Sequence, residues 1–252
     1  MLLAVDAGNT QTVVGLFDGD ELVDHWRIAT KPDRTSDEHA LLLRQFVGGA
    51  SVDGLAIASV VPPVTAALRE LADRYFHLAP VVVEPGTRTG MPILYDNPRQ
   101  VGADRIANAV AAYDLYGGPT IIVDFGTATT VDAVSAEGEY VGGAIMPGIE
   151  VSLEALFDRA AALFRVELVE PRNVIGKNTA ESIQSGALYG TGAQVDGLCR
   201  RFQEELGPCT VVATGGLAAL IAPYSAAIQH HQPWLTLQGL RLVYERNAGP
   251  GR

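Results

Sequence analysis

The 252-residue chain has almost no lysine: Lys31 and Lys177 are the whole complement, so arginine carries nearly all the positive charge. With a formal net charge of −11, the chain lacks the Lys and Arg clusters on which affinity for a phosphate backbone rests. No nucleic-acid partner is expected, although a local site can still hold a small anion. Cysteine is equally sparse. Cys199 and Cys209 stand alone and not in a metal-type spacing, which suggests two reduced, inert thiols and no disulfide framework. No apolar run approaches the roughly 18 residues of a membrane helix. The N-terminal run stops at Asp6, too early for a signal peptide. The expected residence is cytoplasmic, with no membrane partner.

Several common phosphate-site designs are missing too. The one Gly-Lys pair, Gly176-Lys177, is followed by Asn178, and Pro171 stands five residues before Gly176, so there is no Walker-type loop. No Gly-x-Gly-x-x-Gly follows a strand, and a serine nucleophile elbow is absent. Adjacent His230 and His231 have no third ligand nearby in the sequence and read as loop residues.

What is present is a repeat. Val5-Asp6-Ala7-Gly8-Asn9-Thr10-Gln11-Thr12 is echoed by Val123-Asp124-Phe125-Gly126-Thr127-Ala128-Thr129-Thr130. In each, an apolar run delivers an Asp, a Gly follows two residues later, and hydroxyl or amide residues lead into a second apolar run. That pattern predicts a strand, a tight turn and an antiparallel return strand. Such a hairpin can hold phosphate: Gly permits close backbone approach, turn N–H groups and Thr hydroxyls donate to phosphate oxygens, and the Asp can hold a metal or its water. Taken singly, each hairpin is also explained by turn-forming residues alone. The repetition suggests two half-domains, each contributing one hairpin to a shared nucleotide site.

With 48% apolar residues the chain can bury one large core or two smaller ones. A third strand over 21–29 completes an N-terminal meander. Ser36 is the expected N-cap of the next helix, with His39 where a capping-box Glu would sit. A strand over 55–61, a helix from Pro62-Pro63 to about Phe76 and a strand over 80–83 give α/β alternation. Residues 84–100 read as a loop at a cleft edge, and 101–116 contain an Ala-rich helix. Gly117-Gly118-Pro119 marks the boundary between halves 1–116 and 117–252. In the second half the spacing predicts a helix over 149–164 and a long helix capped by Thr179 that reaches Leu206, with possible interruption at Gly190 and Gly192. A strand over 210–214, Gly215-Gly216 and a C-terminal helix over 235–244 follow.

Duplicated Asp-x-Gly hairpins without the other phosphate devices point to an α/β fold of duplicated actin-like ATPase (ribonuclease H-like) half-domains with a cleft between them. The resemblance extends further. Asp6-Ala7-Gly8-Asn9-Thr10, Gly90-Met91-Pro92 with Tyr95-Asp96-Asn97-Pro98, Gly102-Ala103-Asp104-Arg105, Asp124-Phe125-Gly126-Thr127, Gly142-Gly143-Ala144-Ile145-Met146-Pro147-Gly148 and Asn178-Thr179 with Ser182-Ile183-Gln184-Ser185-Gly186 resemble the motifs of type III pantothenate kinase, in that family's order.

The resemblance implies ATP-dependent phosphorylation of pantothenate at its primary hydroxyl, the first step towards coenzyme A. It also implies a homodimer, with dimerisation helices in the second half, and a need for Mg²⁺ and a monovalent cation, K⁺ or NH₄⁺. By the same match Asp104 is the base that accepts the substrate proton, and Tyr95, Gly102, Ala103, Asp104, Arg105 and Thr179 contact pantothenate. Asp6, Ala7, Gly8, Asn9, Thr10, Gln11, Thr12 and Val13, with Thr127, contact ATP. Asp6 handles Mg²⁺ and phosphates, Asp124 is the monovalent-cation ligand, and Gly215-Gly216 flank the adenosine. Plainer roles exist for several of these: Asp104 as a helix N-terminal carboxylate, Arg105 as a helix-surface charge, Tyr95 as a half-buried loop aromatic and Thr179 as an N-cap. A non-catalytic nucleotide-binding protein on the same fold, a phosphatase and a sugar kinase are the alternatives.

Overall fold

The computed structural model describes residues 1–248, and the chain divides into two compact units: Met1–Leu115 with the segment from Leu235 onward, and Tyr116–Trp234.

The first unit opens with β1 (Leu2–Ala7), β2 (Gln11–Asp18) and β3 (Glu21–Ala29). Next come α1 (Ser36–Val47), β4 (Gly54–Ser59), α2 (Pro62–Leu71), β5 (Val81–Val82) and α3 (Ala103–Tyr116). The sheet order is β3-β2-β1-β4-β5. The first three strands are antiparallel neighbours, whereas β1–β4 and β4–β5 pair in parallel. Apolar residues at alternate positions, Leu3 and Val5 on β1 and Leu55 and Ile57 on β4, pack with Leu43 of α1 and Leu68 of α2.

Helix α1 is capped by Thr35 and not by Ser36. The Thr35 hydroxyl accepts the Glu38 N–H at 3.2 Å, and the Glu38 carboxylate accepts the Thr35 N–H at 2.8 Å. This reciprocal pair places Glu38 at the third helical position, one residue before His39. The stretch after α2 continues to Phe76 as a single wide turn, Ala72–Phe76, which ends where His77 adopts a left-handed conformation.

The second unit has β6 (Thr120–Phe125), β7 (Ala128–Val134), β8 (Tyr140–Pro147), α4 (Ile149–Arg159), α5 (Thr179–Leu206), β9 (Thr210–Thr214), α6 (Ala218–Ile221) and β10 (His230–His231). Its sheet runs β10-β9-β6-β7-β8, the same order as the first when the strands are matched one to one. Ile121, Val123, Val131, Leu188, Val195 and Val211 are all fully buried in its core.

Three expectations change here. Helix α4 stops at Arg159, where the Ala160 N–H closes on the Leu156 carbonyl and Ala160 turns extended. Helix α5 runs unbroken through Gly190 and Gly192, and its N-cap is Asn178, whose side chain accepts the Glu181 N–H at 2.9 Å. His230 and His231 form a short exposed strand parallel to β9, with His230 stacked on Tyr116 at 4.5 Å between ring centroids.

The last helix, α7 (Leu235–Asn247), was expected in the second half but packs on β1 and β4 of the first unit. Leu235, Leu240 and Val243 supply its fully buried stripe. Gly239 lies so close to the Ala107 carbonyl of α3 that any Cβ would collide, and the Thr236 hydroxyl donates to Asn108 Oδ1 at 2.8 Å. Among the described residues, no helix is long and apolar enough to cross a membrane.

Candidate active site

The two Asp-bearing hairpins have one construction. In the first, Asp6 lies opposite Val13 and Ala7 opposite Thr12, and residues 8–11 make the turn. In the second, Asp124 lies opposite Thr130 and Phe125 opposite Thr129, with residues 126–128 as the turn. Each turn is closed by its glycine: Gly8 N–H donates to the Gln11 carbonyl at 3.0 Å, and Gly126 N–H donates to the Ala128 carbonyl at 3.1 Å. Asp6 and Asp124 are both half-buried next to the last residue of a central strand, while Asn9, Thr10, Gln11, Gly126 and Thr127 form exposed tips. The Gly8 and Gly126 amides are engaged in shaping the turn, so the groups left for a ligand belong to Asn9, Thr10, Gln11 and Thr127. Thr12 is buried and its hydroxyl meets that of Thr30 at 2.8 Å, which ties β2 to the residue after β3. Val13 is half-buried on β2.

The second hairpin has a backing that gives the Gly142 to Gly148 motif its purpose. Gly148 is the N-cap of α4, and its N–H donates to the Thr127 carbonyl at 3.0 Å. A Cβ at 148 would strike the carbonyls of Gly126 and Thr127. Gly215 follows β9 with φ +93°, a conformation that L side chains rarely adopt, and a Cβ there would enter the Asp124 carboxylate and meet the Phe125 N at 2.6 Å. The glycine thus leaves a cradle beside Asp124.

The return strand of the same hairpin carries a buried carboxylate that is not among the residues singled out in the sequence. Asp132 is 0% exposed; its Oδ1 accepts the Tyr140 hydroxyl at 2.6 Å and its Oδ2 accepts the Thr130 hydroxyl at 3.0 Å. Thr130 is the residue directly opposite Asp124 in the strand pairing, so Asp132 fixes the hydroxyl of the residue that faces the cation-ligand candidate across the hairpin. The available signal was an Asp inside the apolar run 131–134, where a carboxylate needs donors.

The acceptor-side residues sit where α3 begins. Asn97 Oδ1 accepts the Arg99 N–H at 3.2 Å and starts a short turn over Pro98–Gln100. The chain is extended at Val101, and the Ile106 N–H to Gly102 carbonyl bond at 3.1 Å opens the helix. Asp104 is half-buried in the first turn, with its Oδ1 accepting the Arg105 N–H at 2.8 Å. The carboxylate lies over Gly102, where a Cβ would fall on Oδ1. Arg105 is 7% exposed, so it is a buried cation and not a surface charge. That burial demands compensating acceptors.

Gly102 and Ala103 also line a cavity of about 650 Å³ together with Ser59, Val60, Met91 and Ile106. The cavity lies beyond the carboxyl end of β4, the usual location for ligands of open α/β sheets. Tyr95 is half-buried in the same stretch of chain. Thr179 belongs to the second unit. It is the exposed first residue of α5, and because Asn178 does the capping, the Thr179 hydroxyl is not the cap. The segment before it is pinned by Glu181, whose carboxyl is held below the usual range by hydrogen bonding to the Arg172 guanidinium and the Lys177 N–H. Among the described residues no three His, Cys, Asp or Glu side chains cluster as a metal site.

A family model described as type III pantothenate kinase matches residues 2–201. The chain is 56% identical to the type III pantothenate kinase of Streptomyces coelicolor, over 98% of this chain and 99% of that protein. It belongs to the type III pantothenate kinase family.

Solved structures agree on the fold. The (R)-2-hydroxyglutaryl-CoA dehydratase component A of Acidaminococcus fermentans aligns with a TM-score of 0.58 at 16% identity, covering 99% of both chains. The polyphosphate/ATP-glucomannokinase of an Arthrobacter strain aligns with a TM-score of 0.54 at 12% identity, covering 98% of both. At those identities the likeness concerns architecture alone, and the two sheets of this chain share one strand order. Membership of the type III pantothenate kinase family disfavours the non-catalytic reading.

Proposed function

We infer that the chain is an ATP-dependent kinase that transfers the γ-phosphoryl group of ATP to the primary hydroxyl of pantothenate, the first step of coenzyme A biosynthesis. The observation that carries this is its 56% identity, over nearly the whole length of both chains, to a protein named for that activity.

Phosphoryl transfer asks a protein mainly for positioning and charge stabilisation. In this reading, residues 102–105 hold pantothenate, with Gly102 and Ala103 lining the cavity, Arg105 taking its carboxylate, and Tyr95 and Thr179 as further contacts. The Arg105 N–H orients the Asp104 carboxylate, which accepts the proton of the attacking hydroxyl. The hydroxyl oxygen bonds to the γ-phosphorus, the bond from that phosphorus to the bridging oxygen breaks, and ADP departs with the electron pair. The tips over 9–11 and at Thr127 donate to the phosphate oxygens, and Gly8 and Gly126 shape their turns.

The residues fit the ions that such a reaction uses. Asp6 offers one carboxylate, which suits Mg²⁺ completing its shell with nucleotide phosphates and water. Asp124 offers a carboxylate with the Gly215 cradle beside it, which suits a larger monovalent cation, K⁺ or NH₄⁺. Bound there, the cations neutralise phosphate charge in a chain with only two lysines.

Homodimerisation is part of the proposal. Val141 and Ile145 on β8, Val151 and Leu156 on α4, and Val174 and Ile175 before α5 are all exposed apolar side chains of the second unit, and a second copy would cover side chains of this kind. The proposed residence is the cytoplasm, with no nucleic-acid or membrane partner.

The test is ADP release by the purified protein with ATP, Mg²⁺ and K⁺, with and without pantothenate, followed by mass detection of phosphopantothenate. Product that disappears in Asp104→Asn supports the assignment. Nucleotide binding without product from the folded protein would replace it with the non-catalytic alternative.

A further inference from the structure

Residues 84–100 contain no strand, yet Thr89, Met91 and Ile93 from this stretch line the 650 Å³ cavity. Several of its hydrogen bonds are local. The Thr87 hydroxyl donates to the Val82 carbonyl at 2.6 Å, and the Met91 N–H donates to the Thr89 hydroxyl at 3.3 Å. At its start, Arg69 pairs with Glu84 at 2.6 Å. Bonds of this kind shape turns but do not by themselves hold a cavity wall in place.

The wall is tied instead to the last turn of α7, more than 150 residues away in sequence. Asn247 engages both backbone groups of one residue: its Oδ1 accepts the Arg88 N–H at 3.2 Å and its Nδ2 donates to the Arg88 carbonyl at 2.9 Å. The same Nδ2 donates to the Val243 carbonyl at 2.7 Å, which fixes the amide on its own helix. The adjacent Arg246 donates to the Thr89 carbonyl. Gly90 follows with φ +71°, and a Cβ there would meet the Arg246 guanidinium at 2.9 Å. The helix carrying these two side chains is itself anchored by its buried stripe on β1 and β4.

We propose that the end of α7 is a clasp, with Asn247 and Arg246 acting as positioning residues that hold the cavity wall in the shape that receives the alcohol substrate. This rests on the reading of the cavity as the pantothenate site. Neither residue is assigned contact with the substrate. Releasing the wall should raise the free-energy cost of ordering it around pantothenate, with no effect on phosphoryl transfer once pantothenate is bound.

The experiment uses the full-length protein and Asn247→Ala, with Glu245→Ala as a control on the same turn. Losing hydrogen bonds of ordinary strength should raise the KM for pantothenate about three- to tenfold. The kcat and the KM for ATP should stay within about twofold, and hydrogen–deuterium exchange over 85–93 should accelerate. Glu245→Ala should change none of these. Arg246→Met takes the same measurements if Asn247→Ala does not fold. Unaltered exchange over 85–93, faster exchange with an unchanged pantothenate KM, or an equal rise in the KM for ATP would each overturn the clasp. A wild-type protein that does not phosphorylate pantothenate would overturn the functional reading instead, and the exchange measurement would then judge the clasp alone.

Discussion

The Asp104 carboxylate turns back over the start of its own helix and accepts the backbone N–H of Arg105 at 2.8 Å, directly above a glycine at 102 that leaves it the space. One oxygen is thereby oriented by the main chain. Asp104→Asn preserves shape and size but cannot take up a proton. Turnover should fall about 10²- to 10⁴-fold, with the melting temperature close to that of the wild type. The check is steady-state kinetics beside a thermal melt, and near-native turnover in the variant would remove Asp104 from the role of base.

Asp124 and Gly215 make a second prediction. With two lysines in the chain, a bound cation beside Asp124 is assigned part of the neutralisation that a phosphate-site lysine supplies elsewhere. Activity should be low in Na⁺-only buffer and rise with K⁺ or NH₄⁺. Asp124→Asn should lose that response, and Gly215→Ala, which places a methyl group against the Asp124 carboxylate, should weaken it. An initial rate indifferent to K⁺ in the wild type would end this assignment.

In the second unit, Tyr140→Phe deletes the 2.6 Å donor to a carboxylate that is fully removed from water. Removing one partner of a buried acceptor costs about 1–3 kcal/mol, and urea unfolding should show it as a lower midpoint with the slope unchanged. Because Asp132 also orients Thr130, the half-maximal K⁺ concentration should rise in the same variant. Full stability in Tyr140→Phe would mean that the other partners of Asp132 suffice.

Much of this arrangement is legible in the residues. Strands 21–29 and 210–214 fall at the expected residues. Both Asp hairpins follow from an apolar run that ends in Asp-x-Gly. Cap register was not legible, because Thr35 and Ser36, or Asn178 and Thr179, are adjacent residues that can each cap. The choice is made by Glu38 reaching back in one case and by the Asn178 side chain accepting the Glu181 N–H in the other. The location of α7 is hidden for a different reason: an apolar stripe of Leu235, Leu240 and Val243 fits any sheet, and the close seat of Gly239 on Ala107 exists only once the chain is folded. Asp132 is not legible because its partner Tyr140 becomes its neighbour only after β7 and β8 pair.

The last prediction concerns pH. His39 lies in the first turn of α1 at 2% exposure, and burial, reinforced by Arg34, pushes its pKa down from 6.5 to about 4. The unfolded chain therefore binds a proton on this residue between about pH 6.5 and 4 that the folded chain does not. Its contribution to stability is fully present above pH 6.5, is lost as the pH falls through that window and stops changing below about pH 4. The slope contributed by one such proton is at most about 1.4 kcal/mol per pH unit. Glu38 acts in a lower range: its carboxyl is held below the usual value by the Thr35 N–H and hydroxyl, so its contribution is lost below about pH 4.5. Urea unfolding at pH 7.5, 6.0 and 5.0 should show the wild type losing stability at each step, and His39→Leu, which cannot titrate, should lose distinctly less between pH 6.0 and 5.0. Parallel curves for the two proteins would show that His39 is protonated to the same extent in the folded and unfolded chains, against the burial seen here.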